Sequence, residues 1–288
     1  MVEPLPFGLD EVRRALAEDR ATEDVTTRLL GALGERRVTA RFVAEGEFVV
    51  AGIPILATVF QELDTGAEMT PCLPEGARTD AGTTLAVVRG AAAAVLAGER
   101  VALNFVQRLS GIATLTRRAV DAVQGTSARI THTRKTTPGL RELELYAVRT
   151  GGGVENRASL AAGVLWKDNH WTLATQAGQS LADALRAAPP APPAPRGLPV
   201  IVEVESDAQL EAALAAGVTH LLVDNQPPER VAAWAQRAGR AVTIQASGGI
   251  TVDAVRAYAQ AGASLIAIGA LTHSAPAAPI RCDIDAES

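Results

Sequence analysis

The fold is decided by residues 199–225, which read PVIVEVESDAQLEAALAAGVTHLLVDN. The apolar runs Val200–Val204 and His220–Val223 have the length and the β-branched content of buried strands. The Ala- and Leu-rich segment 208–216 between them is typical of a helix. A strand, a helix and a second strand in roughly 30 residues form the βαβ unit from which parallel sheets are built.

The same alternation of strand and helix repeats between residues 125 and 270. Candidate strands lie at Arg129–Thr133, Gly163–Trp166, Val200–Val204, His220–Val223, Val242–Ala246 and Leu265–Ile268. Helical segments separate them at 208–216, 228–238 and 252–261. This pattern predicts a parallel sheet covered by helices, either a barrel or a doubly wound sheet, and we favour the barrel.

The first part of the chain has a different pattern, that of a small α+β domain. A lead-in helix is followed by a predicted hairpin over 36–51, a helix over 52–63, short strands over 76–88 and a long helix over 91–123. We therefore expect an N-terminal α+β domain at 1–115, a barrel domain at 116–270 and a segment at 271–288 that returns to the first domain. The Pro-rich segment 187–197 is expected to be a stiff surface loop.

Composition excludes several classes of protein. The chain has 288 residues, of which 48% are hydrophobic and 20% charged, and it carries a net charge of −5. It has neither an apolar run of membrane-spanning length nor a start typical of a signal peptide, so we expect a cytoplasmic protein. Cys72 and Cys282 are far apart, which argues against a disulfide framework or a zinc site. The acidic balance argues against nucleic acid as a partner.

Lysine is almost absent from the sequence. Of the 27 basic residues only Lys135 and Lys167 are lysines. A coding bias toward arginine explains the scarcity but not the positions of the two that remain. Because a compact ammonium group differs chemically from a planar guanidinium, both lysines are candidate site residues.

Both lysines follow predicted strands, where the active sites of parallel α/β barrels lie. The other polar or glycine positions at strand ends are Arg134, Asp168, Asn169, His170, Glu203, Glu205, Asp224, Asn225, Ser247, Gly248, Gly249 and Gly269. Each one alone has a structural explanation, such as a helix cap or a tight turn, and for Glu205 or Asp168 alone we prefer it. The whole set favours a functional site.

The residue types at these strand ends predict an anionic substrate. Arginine and lysine bind carboxylates and phosphates. Glu203 and Asp224 fit a cation such as Mg²⁺ or the hydroxyl groups of a sugar. Ser247–Gly249, expected at the start of a helix, and Gly269 would expose backbone N–H groups to a phosphate.

Several segments resemble one known family, that of quinolinate phosphoribosyltransferase. They are EDVTT at 23–27, ERVALN at 99–104, SGIAT at 110–114, TRKTTPGLR at 133–141, GGG at 151–153, KDNH at 167–170, EVE at 203–205, ASGGI at 246–250 and GALTHS at 269–274. They occur in order over nearly the whole chain. The resemblance implies an open α/β barrel of about six to seven strands behind an N-terminal α+β domain.

The resemblance also implies a reaction. The family joins quinolinate to phosphoribosyl pyrophosphate with Mg²⁺, and it releases pyrophosphate and CO₂ to leave nicotinate mononucleotide for NAD biosynthesis. Lys135, Lys167, Glu203 and Asp224 would be catalytic, and the two acids would hold Mg²⁺ directly or through water. Substrate-binding positions would be Arg100, Arg134, Asn156, Arg157, His170, Ser247, Gly248, Gly249, Gly269 and His273. The active form would be a homodimer in which Arg100 crosses the interface.

The sequence departs from the family pattern at four positions. Glu155 and Asn156 stand where Asn and His are usual, Leu145 replaces a Lys, and Gln245 replaces a Glu. These changes weaken dicarboxylate binding if the side chains face the substrate, and they are neutral if Glu155 faces outward. Two alternatives stay open: a related enzyme for another pyridine or aromatic acid, and a non-catalytic binding protein on the same fold. We expect His132 and His220 to be structural and the two cysteines to be inert.

Overall fold

A computed structural model describes residues 7–187 and 199–286 of the chain. Most of the Pro-rich segment predicted as a surface loop falls outside the described residues. The chain divides into two compact units. Of the described residues, the first unit comprises 7–117, 136–152 and 272–286, and the second comprises 118–135, 153–187 and 199–271.

The first unit is an α+β assembly. Its elements, numbered along the chain, are α1 (Leu9–Glu18), α2 (Val25–Arg28), β1 (Arg37–Ala44), β2 (Phe48–Val49), α3 (Ile53–Leu63), β3 (Glu68–Pro71), β4 (Arg78–Thr79), β5 (Thr84–Ala91), α4 (Ala92–Ala122, which continues into the second unit), α5 (Arg141–Thr150) and β12 (Ile280–Ala286). Its main sheet has the order β12-β1-β5-β3, and every pair in it is antiparallel. The core of this unit includes Phe42 from β1 and Phe60 from α3, whose ring centroids are 6.0 Å apart.

The predicted hairpin over 36–51 is wrong. β1 pairs with β12 and β5, whereas β2 pairs with β4 in a separate two-stranded sheet. The turn after β1 carries the chain out of the main sheet, and the N–H of Glu45 donates to the carbonyl of Pro279, which precedes β12. The alternation of apolar residues predicted the strands but not their partners, because those partners are distant in sequence.

Residues 136–152 belong to the first unit, whereas the sequence pattern predicts them inside the barrel domain 116–270. Two partly buried polar contacts hold them there. Glu144 of α5 accepts from Arg108 of α4 at 2.9 Å. Tyr146 donates to Glu75 at 2.6 Å, and Glu75 in turn accepts the N–H groups of Gly52 and Ile53 at the start of α3.

The second unit alternates strand and helix as the sequence predicts. Its elements are β6 (Arg129–Thr131), β7 (Val164–Trp166), α6 (Asp168–Gln176), α7 (Leu181–Ala187), β8 (Val200–Val204), α8 (Asp207–Ala215), β9 (His220–Asp224), α9 (Pro228–Ala238), β10 (Thr243–Ser247), α10 (Val255–Gln260) and β11 (Leu265–Ala267), followed at the unit boundary by α11 (Ala270–His273). Every candidate strand is present within one or two residues of its predicted ends.

The six strands form one parallel sheet in the order β6-β11-β10-β9-β8-β7. Strands β7 to β11 are neighbours in chain order, and the first strand pairs with the last. This is the strand order of an α/β barrel in which one pairing is missing, so the expectation of an open, TIM-like barrel is confirmed. A short parallel bridge between Thr131 and Val154 extends the β6 edge.

Apolar runs fill the inside of the second unit. Val202, Val204, Leu221 and Ile266 are buried, as the strands of a parallel sheet covered on both faces require. Trp234 of α9 is also buried, and its indole N–H donates to Asp207 at 3.0 Å.

Among the described residues we find no helix that combines the length and the apolar character needed to span a membrane.

Candidate active site

Three carboxylates meet at the carboxyl ends of β8 and β9 in the second unit. Glu203, Glu205 and Asp224 each place an oxygen within 4.8 Å of the others. Glu203 and Glu205 are two residues apart in an extended segment and therefore point to the same side. The parallel pairing of β8 with β9 places Glu203 beside Leu222, two residues before Asp224. Such a group of oxygens can hold a hard divalent cation.

Glu203 is the most perturbed acid of this group. Burial raises its pKa above the usual value, and the neighbouring charges of Asp224, Asp168 and Glu205 raise it further. The backbone N–H of Asp168, which donates to Glu203 at 3.3 Å, acts in the opposite direction. A positive charge bound here would relieve this repulsion.

The turn after β10 is built against the end of β9. Gly248 has a φ of +90°, and a Cβ atom on it would lie 2.3 Å from Asn225 Oδ1 and 2.6 Å from Asn225 N. Asn225 itself has a φ of +52°, and its N–H donates to the carbonyl of Ser247 at 3.0 Å. Only glycine fits at 248, so the backbone of this turn lies close to the Asp224 end of β9.

The expectation that Ser247–Gly249 opens a helix is wrong. A 3₁₀ turn at Val252–Ala254 comes first, and α10 begins only at Val255. The backbone N–H groups of the turn therefore lack the dipole of an α-helix directly behind them. Gly269, the other predicted phosphate contact, directly precedes the four-residue helix α11.

Positive charge collects beside β6. Arg134 follows this strand, and Arg157 lies in the segment that bridges to it. Burial lowers the pKa of Arg157, and the nearby guanidinium of Arg134 lowers it further. Arg157 donates to the carbonyl of Gly163 at 3.0 Å. Two guanidinium groups placed this close favour an anion between or beside them.

Lys135 and Lys167 are both exposed after their strands, as predicted. Lys167 precedes α6, and its backbone N–H donates to Nδ1 of His170 at 3.2 Å. The His170 ring lies 5.5 Å from the Trp166 ring, centroid to centroid. The His170 side chain thus helps to cap the N-terminus of α6. Because Nδ1 of His170 accepts this hydrogen bond, the proton of its neutral ring is on Nε2.

Asn156 is engaged with the backbone around it. Its Nδ2 donates to the carbonyl of His132 at 3.0 Å, and its Oδ1 accepts from the N–H of Arg157 at 2.8 Å. The preceding carboxylate, Glu155, is 60% exposed. Of the two neighbouring departures from the family pattern, only Glu155 offers a charged group at the surface of this region.

The other two departures lie inside their units. Leu145 is 1% exposed in α5 of the first unit. Gln245 is 1% exposed in β10, where it bonds to His220 at 2.8 Å. Gln245 stands two residues before the end of its strand, and His220 stands at the start of β9. His220 therefore lies at the opposite end of the sheet from the candidate site, and neither departure changes the polar groups at the carboxyl ends of the strands.

Arg100 and His273 lie in the first unit. Arg100 is exposed on α4, in a shallow depression that it shares with Val25, Arg28 and Leu96. His273 is exposed at the end of α11, with Nδ1 2.6 Å from Ser274 Oγ. All other predicted site residues belong to the second unit.

Sequence reasoning missed two residues. Taken alone, Glu205 is predicted to be structural, although its spacing of two from Glu203 on a strand predicts that both side chains share a face. Asn225 was noted only as a strand-end residue, and nothing in the sequence shows that its backbone requires a glycine at 248. The first could have been found from the pattern, but the second depends on the pairing of β9 with β10.

Two family models cover almost the whole chain. The model of the quinolinate phosphoribosyl transferase N-terminal domain matches residues 24–110, and that of the C-terminal domain matches residues 112–283. The chain belongs to the quinolinate phosphoribosyltransferase family. The members of this family are pentosyltransferase enzymes.

Curated members of the family are similar over nearly their full length. The chain is 42% identical to the nicotinate-nucleotide pyrophosphorylase (carboxylating) of Mycobacterium leprae, over 96% of each chain. It is 40% identical to the probable enzyme of that name from Bacillus subtilis, over 93% of this chain and 90% of the relative. The crystal structure of the nicotinate-nucleotide pyrophosphorylase from Ehrlichia chaffeensis matches with a TM-score of 0.87 at 32% identity, over 99% of this chain and all of the other.

Proposed function

We propose that this enzyme transfers the phosphoribosyl group of phosphoribosyl pyrophosphate to quinolinate and removes one carboxyl group, giving nicotinate mononucleotide, pyrophosphate and CO₂ for NAD biosynthesis. The observation that carries the proposal is the set of strand ends in the second unit. Lys135, Arg134 and Arg157 lie beside β6, Lys167 follows β7, and Glu203 and Asp224 end the neighbouring strands. The names of the curated relatives agree with this reaction.

The reaction needs positioning and fixed charge more than proton transfer. The pyridine nitrogen bonds to C1 of the ribosyl group with its own lone pair, as the bond from C1 to the pyrophosphate oxygen breaks. The pyrophosphate leaves with that electron pair, and cations near it stabilise the charge. The ring carboxylate then leaves as CO₂, and the ring carbon takes a proton from solvent. Lys135, Lys167, Arg134 and Arg157 are the groups we assign to these anions.

The acidic cluster fits Mg²⁺. Glu203, Glu205 and Asp224 offer carboxylate oxygens within 4.8 Å of one another, and Mg²⁺ prefers oxygen ligands. A bound Mg²⁺ would neutralise phosphate charge during the transfer. Glu203 and Asp224 would hold it directly or through water, and would accept hydrogen bonds from ribose hydroxyls. We assign the backbone of Ser247–Gly249, Gly269 and the side chain of His273 to phosphate, and Asn156 and His170 to supporting contacts.

A turnover assay tests the proposal directly. The full chain is incubated with phosphoribosyl pyrophosphate, Mg²⁺ and quinolinate, and pyrophosphate and nicotinate mononucleotide are measured. We expect stoichiometric release of both, dependent on Mg²⁺. Binding of phosphoribosyl pyrophosphate without product from quinolinate would refute the assigned acceptor.

One observation favours a second acceptor. The exposed carboxylate of Glu155 stands one residue from Asn156, where a negative charge disfavours a dicarboxylate. An enzyme of this family for a pyridine or aromatic acid with fewer carboxylates is therefore the alternative. Parallel assays with nicotinate and picolinate separate the two, because quinolinate turnover tenfold above both would exclude the alternative.

We also propose that the enzyme acts as a homodimer in which Arg100 completes the partner's site. Arg100 and Leu96 lie one turn apart on α4, and Val25, which lines the same depression, is 74% exposed. Leu29, which directly follows α2, is 86% exposed. Exposed apolar residues around an arginine are typical of a subunit interface. Free cysteines at 72 and 282 suit a cytoplasmic location.

Mixing two inactive variants tests the shared site. Arg100→Ala and Lys135→Ala homodimers should both be inactive, and unfolding and refolding them together should restore about a quarter of wild-type activity, since half of the dimers then hold one intact site. No recovery from a refolded mixture that contains heterodimers would refute the crossing of Arg100.

A further inference from the structure

We propose that His132 is a positioning residue that holds Arg157 in the anion site while its ring is neutral and releases it when the ring takes a proton. This inference rests on the proposed function, because it assumes that Arg157 binds a substrate carboxylate or phosphate. It assigns a role to a buried histidine that the sequence indicates only as structural.

His132 joins the end of β6 to the segment that carries Arg157. The backbone N–H of Asn156 donates to Nε2 of His132 at 3.1 Å, and Nδ2 of Asn156 donates to the His132 carbonyl at 3.0 Å. The residue before His132 makes a further contact with the same segment, since Thr131 Oγ1 donates to the carbonyl of Val154 at 2.8 Å. Asn156 Oδ1 accepts the N–H of Arg157 at 2.8 Å, so the contact at His132 reaches Arg157 through one residue.

These contacts define the protonation state of the ring. A backbone N–H can only donate, so Nε2 must accept and cannot carry a proton. The single proton of the neutral ring is therefore on Nδ1, which lies 3.3 Å from the carbonyl of Thr133. His132 is 1% exposed, so water does not replace either contact.

The Glu155 carboxylate lies close enough to His132 Nε2 to be a second partner for it. Oε2 of Glu155 lies 3.8 Å from His132 Nε2. When the ring takes a second proton, Nε2 becomes a donor and the bond from Asn156 N–H is lost. The Glu155 carboxylate then becomes the favoured partner, because it is charged and accepts. We expect the Asn156 backbone to move away from the ring, and the backbone of Arg157, whose N–H donates to Asn156 Oδ1, to move with it.

Charged groups on each neighbouring segment act on this equilibrium. On its own loop Arg134 and Lys135 follow His132 by two and three residues and disfavour a charged ring. On the opposite segment the Glu155 carboxylate, whose Oε2 lies 3.8 Å from Nε2, favours a charged ring, and the same segment carries the cation Arg157. The strand paired with β6 on its other side, β11, reads Leu-Ile-Ala over 265–267 and offers no charge.

Three variants separate the positioning role from a structural one. His132→Gln keeps an acceptor for the Asn156 N–H but does not titrate, and His132→Leu removes the acceptor. Glu155→Gln removes the second partner. His220→Gln is the matched control, since it replaces a half-buried histidine at the amino end of β9, whereas the candidate site lies at the carboxyl ends of the strands.

The first measurement is the KM for quinolinate and the kcat between pH 5 and 8. In wild type and His220→Gln we expect the KM to rise about tenfold toward acid pH, as His132 charges, with a smaller change in kcat. His132→Gln should lose this rise, Glu155→Gln should move it to lower pH, and His132→Leu should show the raised KM at every pH. An acid-side rise that persists unchanged in His132→Gln would overturn the proposal.

A second measurement does not depend on turnover. Nitrogen-15 NMR of the imidazoles should show a Nδ1–H tautomer for the signal that disappears in His132→Gln, and its titration should accompany weaker binding of phthalate, a vicinal aromatic dicarboxylate. An Nε2–H tautomer, or phthalate binding that ignores this titration, would overturn the proposal even if quinolinate is turned over. The expected NMR and phthalate results without quinolinate turnover would instead refute only the proposed acceptor.

Discussion

Arg108 in the first unit and Arg157 in the second are both half-buried, but their surroundings differ. Arg108 donates to Glu144 through Nε at 3.2 Å and Nη2 at 2.9 Å, and through Nη1 to the carbonyl of Ala275 at 3.0 Å. Glu144 is fully buried and also accepts from Thr137. The pKa of Arg157 is instead lowered, first by burial and further by the neighbouring positive charge of Arg134.

The positive charge of Arg108 is paired within the chain and stabilises the fold, whereas the positive charges of Arg157 and Arg134 lie side by side and favour an anionic ligand. A buried acid with its cation and two further donors is satisfied within the chain, and removing one partner costs stability. Two cations held side by side oppose folding slightly and favour anion binding. The same residue type therefore serves two purposes, and burial alone does not separate them.

The largest expected effect tests the satisfied pair. Glu144→Gln leaves the charge of Arg108 without its carboxylate, and should lower the free energy of unfolding by about 3–5 kcal/mol. Urea denaturation measures the change. Glu62→Gln is the control, because it removes the exposed partner of Arg13 and should cost less than about 1 kcal/mol. Equal losses of unfolding free energy in the two variants would show that the buried Arg108–Glu144 pair matters no more to stability than the exposed Arg13–Glu62 pair.

The next effect tests the cationic site. Lys135→Ala should lower kcat/KM by about 100- to 1000-fold, since one fixed charge near the reacting groups is lost. Its urea midpoint should stay that of the wild type, because Lys135 is exposed. The control is Arg240→Ala, which removes an exposed cation from the turn before β10, at the end of the sheet opposite to the candidate site. It should change neither kcat/KM nor the urea midpoint. Lost stability with retained activity in Lys135→Ala would reverse the assignment.

A pair of glycines sharpens the comparison within the second unit. Gly248→Ala forces a Cβ atom against Asn225, and should cost about 1–3 kcal/mol of stability and raise the KM for phosphoribosyl pyrophosphate. Gly249→Ala has a φ of +61° but no atom within 4 Å of its added Cβ, so about 1 kcal/mol is expected. Thermal unfolding and steady-state kinetics measure both. Identical behaviour would show that the close approach of Asn225 is unimportant.

The smallest effect is a gain in stability. The pKa of Glu203 is raised in the folded chain, so the unfolded chain releases that proton more readily and stability falls as pH rises through this range. Glu203→Gln should therefore raise the melting temperature by about 2–4 °C at pH 8, and lose this advantage below about pH 4. Differential scanning calorimetry without Mg²⁺ measures it. A lower melting temperature at pH 8 would contradict the raised pKa.

The sequence predicts the second unit better than the first, for a physical reason. The strands of a parallel sheet are buried runs joined by helices to neighbours in chain order, so β7 to β11 and their polar ends follow from local patterns. The main sheet of the first unit pairs β1 with β12, and no local pattern predicts such a distant partner. In the candidate site, the placement of Lys135, Lys167, Glu203 and Asp224 at or after the carboxyl ends of strands follows from the sequence pattern. The contacts of His132 with Asn156 do not, because they depend on the loop that returns to β6.

The pairing of β1 with β12 also sets the order in which the chain can be completed during synthesis. β1 leaves the ribosome early, whereas β12 follows only after the whole second unit has been made. Until then one edge of β1 has no strand beside it, and an open edge is a template for pairing with another chain. A nascent chain that stalls before Ile280 therefore exposes an unpaired strand edge, and the synthesis of β12 is the step that protects this edge from aggregation.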